Sequence, residues 1–113
     1  MIKAIFTRRQ SGQLEGVVLS GHAGSGEFGF DIVCAAVSTL AINLVNALEV
    51  LTDCQADIDM DDLDGGYMNL DISSDPYQSD EKVQLLFEAF FLGISNLADN
   101  QSRFVDVQIQ MTN

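Results

Sequence analysis

Short segments of alternating or continuous apolar residues recur along the chain, and polar or turn-forming residues separate them. Such segments are typical of β-strands. They predict strands over residues 2–7, 14–20, 54–60, 68–72 and 104–109. In the third of these, Cys54, Ala56, Ile58 and Met60 alternate with polar residues, which predicts a half-buried strand. A turn at residues 11–13 is expected to join the first two strands as a hairpin.

Two longer apolar segments predict helices. Asp31 is a favourable N-cap residue, and residues 32–52 after it are apolar on most faces, so this helix is expected in the middle of the fold. The second helix is expected to begin at Asp75-Pro76, with Ser79-Asp80-Glu81 as an alternative start. Its apolar face is formed by Val83, Leu86, Phe87, Phe90, Phe91, Ile94 and Leu97.

The resulting element order is ββαββαβ, which predicts an α+β fold in which one sheet packs with two helices. The length of 113 residues and the hydrophobic content of 47% suit one domain with a core, so we expect a single domain over residues 1–113.

Residues 32–51 are long enough to cross a membrane, but Asn43, Asn46 and Glu49 interrupt them. We therefore interpret this segment as a buried helix and expect no membrane partner. No secretory signal is recognisable, which favours a cytoplasmic protein.

The charge of the chain is strongly acidic. Five basic residues stand against seventeen acidic ones, which gives a formal net charge of -12. Direct binding to nucleic acid requires lysine and arginine at the phosphates, so this charge argues against a nucleic-acid partner and favours a basic protein partner. Eleven of the acidic residues fall between Glu49 and Glu81.

The chemistry-bearing residues cluster around one loop. His22, the only histidine, follows the second strand, and Cys34 is expected in the first turn of the first helix, after the cap Asp31. A thiolate is the nucleophilic form of cysteine, a helix N-terminus favours it, and an imidazole can accept its proton. A purely structural role for both residues is the alternative, since cysteine is often buried. The residues alone therefore indicate a candidate Cys–His site.

The segment between His22 and Cys34 is rich in glycine. We expect it to be a loop that gates access of substrate, formed by Gly24, Gly26, Phe28, Gly29 and Phe30. Either phenylalanine could fill an apolar pocket when substrate is absent. The alternative is a static surface loop whose two aromatic side chains pack on the core.

Other candidate sites are weaker. Cys54 falls on the apolar face of the third strand and is expected to be an inert buried thiol. The aspartates between Asp57 and Asp64 do not match a calcium-binding loop, because Asp62 and Met68 occupy the positions that require Gly and Glu. We expect a solvated acidic surface there, with no metal and no cofactor. Two cysteines without secretory context indicate reduced thiols rather than a disulfide.

Two motifs resemble the ribosomal-processing cysteine protease family, Prp: Gly21-His22-Ala23 and residues 31–38, Asp-Ile-Val-Cys-Ala-Ala-Val-Ser. The resemblance extends over the full chain. It implies removal of the N-terminal extension of a large-subunit ribosomal protein by cleavage after a Phe. It also implies His22 as the base and Cys34 as the nucleophile, with Asp31 and Ser38 as supports, in a homodimer.

Two rival functions remain open from the sequence. A non-enzymatic acidic binding or assembly factor for a basic ribosomal protein would fit the charge and the aromatic helix. A thiol redox sensor would use Cys34, but Cys54, the only other cysteine, is separated from it by a whole predicted helix.

Overall fold

Seven elements follow one another in the order that the hydrophobic pattern predicts. The structure, a computed structural model, describes residues 1–21, 28–60 and 67–112, and of residues 28–31 it describes the backbone alone. The elements are β1 (Ile2–Arg9), β2 (Leu14–Ser20), α1 (Phe28–Leu51), β3 (Asp57–Met60), β4 (Tyr67–Asp71), α2 (Glu81–Asn100) and β5 (Val105–Thr112). The α+β prediction with the order ββαββαβ is therefore confirmed.

The strands form one mixed sheet in the order β3-β4-β2-β1-β5. Neighbouring strands are antiparallel except β1 and β5, which are parallel. The predicted hairpin joins β1 to β2: the N–H of Gly12 donates to the carbonyl of Arg9 at 2.8 Å, and Gly12 has a φ of +101° that favours glycine. In the strand order of the sheet, β2 is the central strand, and β4 and β1 flank it.

One face of the sheet forms the core together with both helices. Cross-strand pairs such as Ala4–Leu19 and Phe6–Val17 place buried side chains on this face. From α2, the rings of Phe90 and Phe91 lie with their centroids 5.8 and 4.8 Å from that of Phe6. These tilted and edge-on contacts are the favourable geometries of aromatic pairs, so they fix α2 against the centre of the sheet.

Helix α1 buries one side rather than its whole circumference. Its core residues recur every three or four positions and are Val33, Cys34, Val37, Ala41, Leu44 and Leu48. Its other side exposes Ile32, Ile42, Val50 and Leu51. The expectation of a helix in the middle of the fold is therefore wrong, because α1 lies on one face of a single sheet and nothing in the described chain covers its outer side. Residues 32–51 are still long and apolar enough to meet the length criterion for a membrane span.

The second helix begins at the alternative start. Asp80 caps α2, since its carboxylate accepts the N–H of Lys82 at 2.8 Å. The expected start at Asp75 is wrong because the carboxylate of Asp75 has another role: it accepts the N–H groups of Tyr77, at 2.8 Å, and Gln55, at 3.0 Å. It thereby ties the turn before α2 to the segment after α1.

Two strand predictions also need correction. β3 begins at Asp57 rather than at residue 54, and all four of its residues are exposed, including Ile58 and Met60. It lies at the edge of the sheet, where the helices do not cover it, so it is not half-buried. Phe104 lies before β5 rather than in it, and its carbonyl accepts the N–H of Ile2 at 2.7 Å. This position explains why Phe104 breaks the alternation of the last strand.

Candidate active site

Helix α1 begins four residues earlier than the sequence predicts. It starts at Phe28, so Asp31 is its fourth residue and Cys34 its seventh. The prediction of Asp31 as N-cap is wrong, although a carboxylate in the first turn is still favourable to the helix dipole. The N–H of Cys34 lies beyond the four N-terminal N–H groups that have no intrahelical partner. The N–H group of Cys34 is therefore not a donor for an oxyanion.

The gating-loop prediction divides into two parts. Phe28, Gly29 and Phe30 belong to α1, so the loop prediction is wrong for these three residues. Gly24 and Gly26 lie outside the residues that the structure describes, and so does His22. Residues 30–51 contain neither Gly nor Pro. The sequence around Asp31 therefore has no helix-breaking residue that would prevent the helix from beginning before it.

Cys34 lies on the core side of α1. Its residue is 7% exposed and belongs to the same apolar cluster as its helix neighbours Val33 and Val37. It forms no disulfide. Ser38 lies one turn further along the same side of the helix and is half-buried. Side chains on a helix tilt toward its N-terminus, so the thiol of Cys34 is directed back toward the first turn of α1.

Gly21 controls how the chain leaves β2 toward His22. Its φ is +76°, a region that residues with a side chain rarely adopt. A Cβ atom at this position would lie only 2.4 Å from the carbonyl oxygen of Met1, which is far inside contact distance. The sequence alone does not indicate this requirement, because the clash partner Met1 is 20 residues away in the chain. The structure shows that only glycine fits here.

We expect Gly21→Ala to lower both stability and turnover. The left-handed backbone alone costs about 1–2 kcal/mol for a residue with a side chain, and the clash with Met1 must in addition displace the strand end that leads to His22. Thermal unfolding and kcat measure the two effects. Gly12→Ala is the matched control, since Gly12 also has positive φ but has nothing within 4 Å of its Cβ position. Equal losses of kcat in the two variants would contradict a positioning role for Gly21.

A second close approach fixes α1 itself. A Cβ atom on Gly93 of α2 would lie 3.3 Å from Cδ1 of Leu40, which is six residues after Cys34 on α1. Glycine therefore lets the two helices approach closely at this point. The contact sets the spacing between α2 and α1, the helix that carries Cys34.

Cys54 is a structural thiol, as the sequence predicts. It is 2% exposed, and burial together with the neighbouring Asp75 carboxylate, to which its thiol donates, raises its pKa to about 11. The thiolate fraction at neutral pH is accordingly small, and the thiol is a poor nucleophile.

The raised pKa of Cys54 predicts a loss of stability in alkali. The folded state holds this proton more tightly than the unfolded chain, whose thiol has an ordinary pKa of 9.0. The resulting stability is fully present below pH 9 and is lost as the pH rises toward 11. Urea unfolding measures the free energy of unfolding at pH 8 and at pH 10.5. This free energy should fall more between the two pH values for the wild type than for Cys54→Ser. An equal fall in both proteins would show that Cys54 does not titrate in this way.

Over residues 1–21, 32–60 and 67–112, no cluster of three or more His, Cys, Asp or Glu side chains has the geometry to hold a metal ion. Three residues of the acidic segment considered for calcium, Asp61, Asp62 and Asp64, lie outside the described residues.

Comparison with known proteins decides the family. The model of the family described as cysteine protease Prp matches residues 1–106. The chain belongs to the Prp family of cysteine proteases. The ribosomal processing cysteine protease Prp of Staphylococcus aureus is 34% identical over 99 residues, which cover 88% of this chain and 90% of the relative. The Prp of Bacillus subtilis is 32% identical over 99 residues, covering 86% and 87%.

Solved structures from Streptococcus mutans and Staphylococcus aureus share the fold. The crystal structure of SMU.848 from Streptococcus mutans superposes with a TM-score of 0.94 at 64% identity, covering 99% of this chain and 96% of that one. The S. aureus Prp in complex with a substrate peptide superposes with a TM-score of 0.88 at 26% identity, covering 97% and 100%. Another S. aureus Prp structure, with a TM-score of 0.86, 27% identity and the same coverage, holds a covalently linked product peptide. The family expectation is therefore confirmed, and with it the class of cysteine protease.

Proposed function

We propose that this Prp-family protease removes the N-terminal extension of a large-subunit ribosomal protein by cutting after a Phe, and that residues 1–113 act as one catalytic domain. The observation that carries the proposal is the match to ribosomal processing proteases over nearly the whole chain, one of which is solved with a substrate peptide. The acidic net charge of -12 supports a basic ribosomal substrate and argues against direct contact with nucleic acid.

In the proposed mechanism, His22 accepts the proton of the Cys34 thiol. The thiolate attacks the carbonyl carbon of the scissile bond, and the bond to the leaving amine breaks as His22 returns the proton to that nitrogen. Water, activated by His22, then attacks the thioester and releases the carboxylate product with the thiol of Cys34 restored. Each step conserves protons without a metal or a cofactor.

The first turn of α1 is the proposed source of oxyanion stabilisation. The first N–H groups of α1 have no intrahelical partner, and the thiol of Cys34 is directed back toward them. Such preorganised donors stabilise the negative charge that develops on the carbonyl oxygen. Asp31 in this turn and Ser38 one turn beyond Cys34 are proposed as supporting residues.

Three further features belong to the same proposal. The chain works as a homodimer in the cytoplasm, and the exposed apolar residues of α1, such as Ile42 and Val50, offer surface for a subunit contact. Gly24 and Gly26, together with the start of α1, gate access to Cys34.

Two rival functions are less well supported. A non-enzymatic assembly factor is disfavoured because the chain belongs to a family of proteases. A redox sensor is disfavoured because Cys54 is a buried thiol of raised pKa.

Peptide cleavage tests the proposed specificity. A peptide that spans the extension and the mature N-terminus of the ribosomal protein should give two products, and their masses should place the cut after the Phe. Replacing this Phe by Ala should lower kcat/KM by at least about tenfold, because a buried aromatic side chain contributes more than 1.4 kcal/mol. Equal cleavage of both peptides, or a cut at another bond, would overturn the specificity.

A further inference from the structure

A groove opens at the far end of α1 from the candidate active site. It encloses about 470 Å³ between the C-terminal end of α1 and the edge strand β3. Four apolar residues contribute to its walls, namely Val45, Leu48, Ala56 and Ile58. Ile58 is 41% exposed, so this wall presents apolar surface to solvent.

The base of the groove is held in place by hydrogen bonds. The carboxylate of Asp75 accepts hydrogen bonds from the thiol of Cys54 and from the N–H of Gln55. Cys54 and Gln55 both line the groove. The hydroxyl of Thr52, another lining residue, donates to the carbonyl of Leu48 at 2.5 Å. The groove therefore exists before any ligand binds, which reduces the entropic cost of binding.

The charge of the groove is negative. Glu49 and Asp53 are exposed and line it, and no basic side chain is among its described lining residues. The last turn of α1 also lacks a basic residue, so the negative end of the helix dipole is not compensated there. Lys82 shares an adjoining depression with Asp53 but forms no ion pair with it within the described chain. The groove thus favours a cationic occupant.

Two of the basic side chains, both at the end of β1, are already paired. Arg8 donates to both carboxylate oxygens of Glu88, at 2.7 and 3.0 Å, and lies 5.2 Å from the ring centroid of Phe91. Arg9 pairs with Glu15. These arginines cannot neutralise the groove, and its negative charge faces solvent.

We propose that this groove binds a lysine- or arginine-bearing segment on the mature side of the substrate, away from the scissile bond. Long cationic side chains fit both features of the groove, because the methylene stem packs on apolar wall while the charged end reaches the carboxylates. Ribosomal proteins contact RNA through basic residues, so their mature chains carry such segments. This assignment rests on the proposed function.

The length of α1 sets the spacing between the groove and the cut. From Cys34 to Glu49 the helix advances 15 residues, which corresponds to a rise of about 22 Å. An extended peptide covers this distance with about seven residues. The basic segment should therefore begin about seven residues after the scissile bond, and shorter substrates should not reach the groove.

The experiment compares two peptides on two enzymes. Both peptides share the cleavage site. One ends four residues after it, and the other continues for twelve residues with three lysines from the seventh position onward. The test enzyme is Glu49→Gln/Asp53→Asn. Its matched control is Asp99→Asn/Asp106→Asn, which removes two charges from a separate depression beside β5.

The expected result is a rise of about fivefold in KM for the long peptide on the test enzyme, with kcat unchanged, since two exposed charge contacts are lost. The short peptide should show equal KM on all enzymes, and 0.5 M salt should abolish the difference. Equal KM values for the long peptide on test and control enzymes would overturn the groove assignment.

A binding measurement separates this proposal from the proposed function. The three-lysine segment alone, labelled with a fluorophore, should bind wild-type protein and lose about fivefold in affinity on Glu49→Gln/Asp53→Asn, whether or not any peptide is cleaved. No binding to the wild type would overturn the groove assignment even if cleavage is normal. A shift of oligomeric state in the test enzyme, with peptide affinity unchanged, would assign the groove to a second copy of the chain and also overturn it.

Discussion

Cys34→Ala should abolish cleavage of the ribosomal substrate while the fold remains intact. Without the thiol no thioester forms, and loss of a nucleophile costs at least about a thousandfold in kcat. The side chain is small and lies in a packed cluster on α1, so removing one sulfur should cost no more than about 1–2 kcal/mol of unfolding free energy. Circular dichroism and thermal unfolding verify the fold, and mass spectrometry of the substrate measures cleavage.

Cys54→Ser is the matched control for this variant. Cys54 is also a buried cysteine, and serine keeps a donor for the carboxylate of Asp75. It should retain most of the activity. Iodoacetamide should inactivate the wild type and Cys54→Ser alike through Cys34. Turnover by Cys34→Ala at a rate near that of the wild type would contradict its assignment as nucleophile.

His22→Ala should have the second largest effect. Removal of a general base and acid lowers turnover by about a hundredfold to ten-thousandfold. Added imidazole should restore part of the lost turnover in His22→Ala, because it can occupy the space of the missing ring and accept the proton of Cys34. Imidazole should leave Cys34→Ala inactive. Unchanged kcat in His22→Ala would show that another group takes the proton.

The strands that pair in the centre of the sheet were predictable from the sequence, and those at its edge were not. β2 has the predicted bounds Leu14–Ser20 because its apolar residues face the core directly. In β3 the same alternation at Ile58 and Met60 is misleading, since burial there depends on whether a helix covers the edge. That covering is a property of the tertiary arrangement, and no local pattern reports it.

The site was predictable in its chemistry but not in its geometry. The sequence identifies Cys34 and His22 as a candidate pair, yet a good cap residue such as Asp31 does not by itself decide where a helix begins. The requirement for glycine at position 21 depends on the carbonyl of Met1, a contact that forms only when β1 and β2 pair. The groove beyond α1 likewise arises from tertiary packing.

Mass spectrometry of the intact ribosomal protein tests the central claim most directly. The large-subunit protein with its N-terminal extension is incubated with wild-type enzyme, with Cys34→Ala and with Cys54→Ser. The account predicts one shortened product whose mass corresponds to cleavage after the Phe, present with the wild type and Cys54→Ser and absent with Cys34→Ala. An intact substrate after incubation with stoichiometric wild-type enzyme, or the same shortened product with Cys34→Ala, would contradict it.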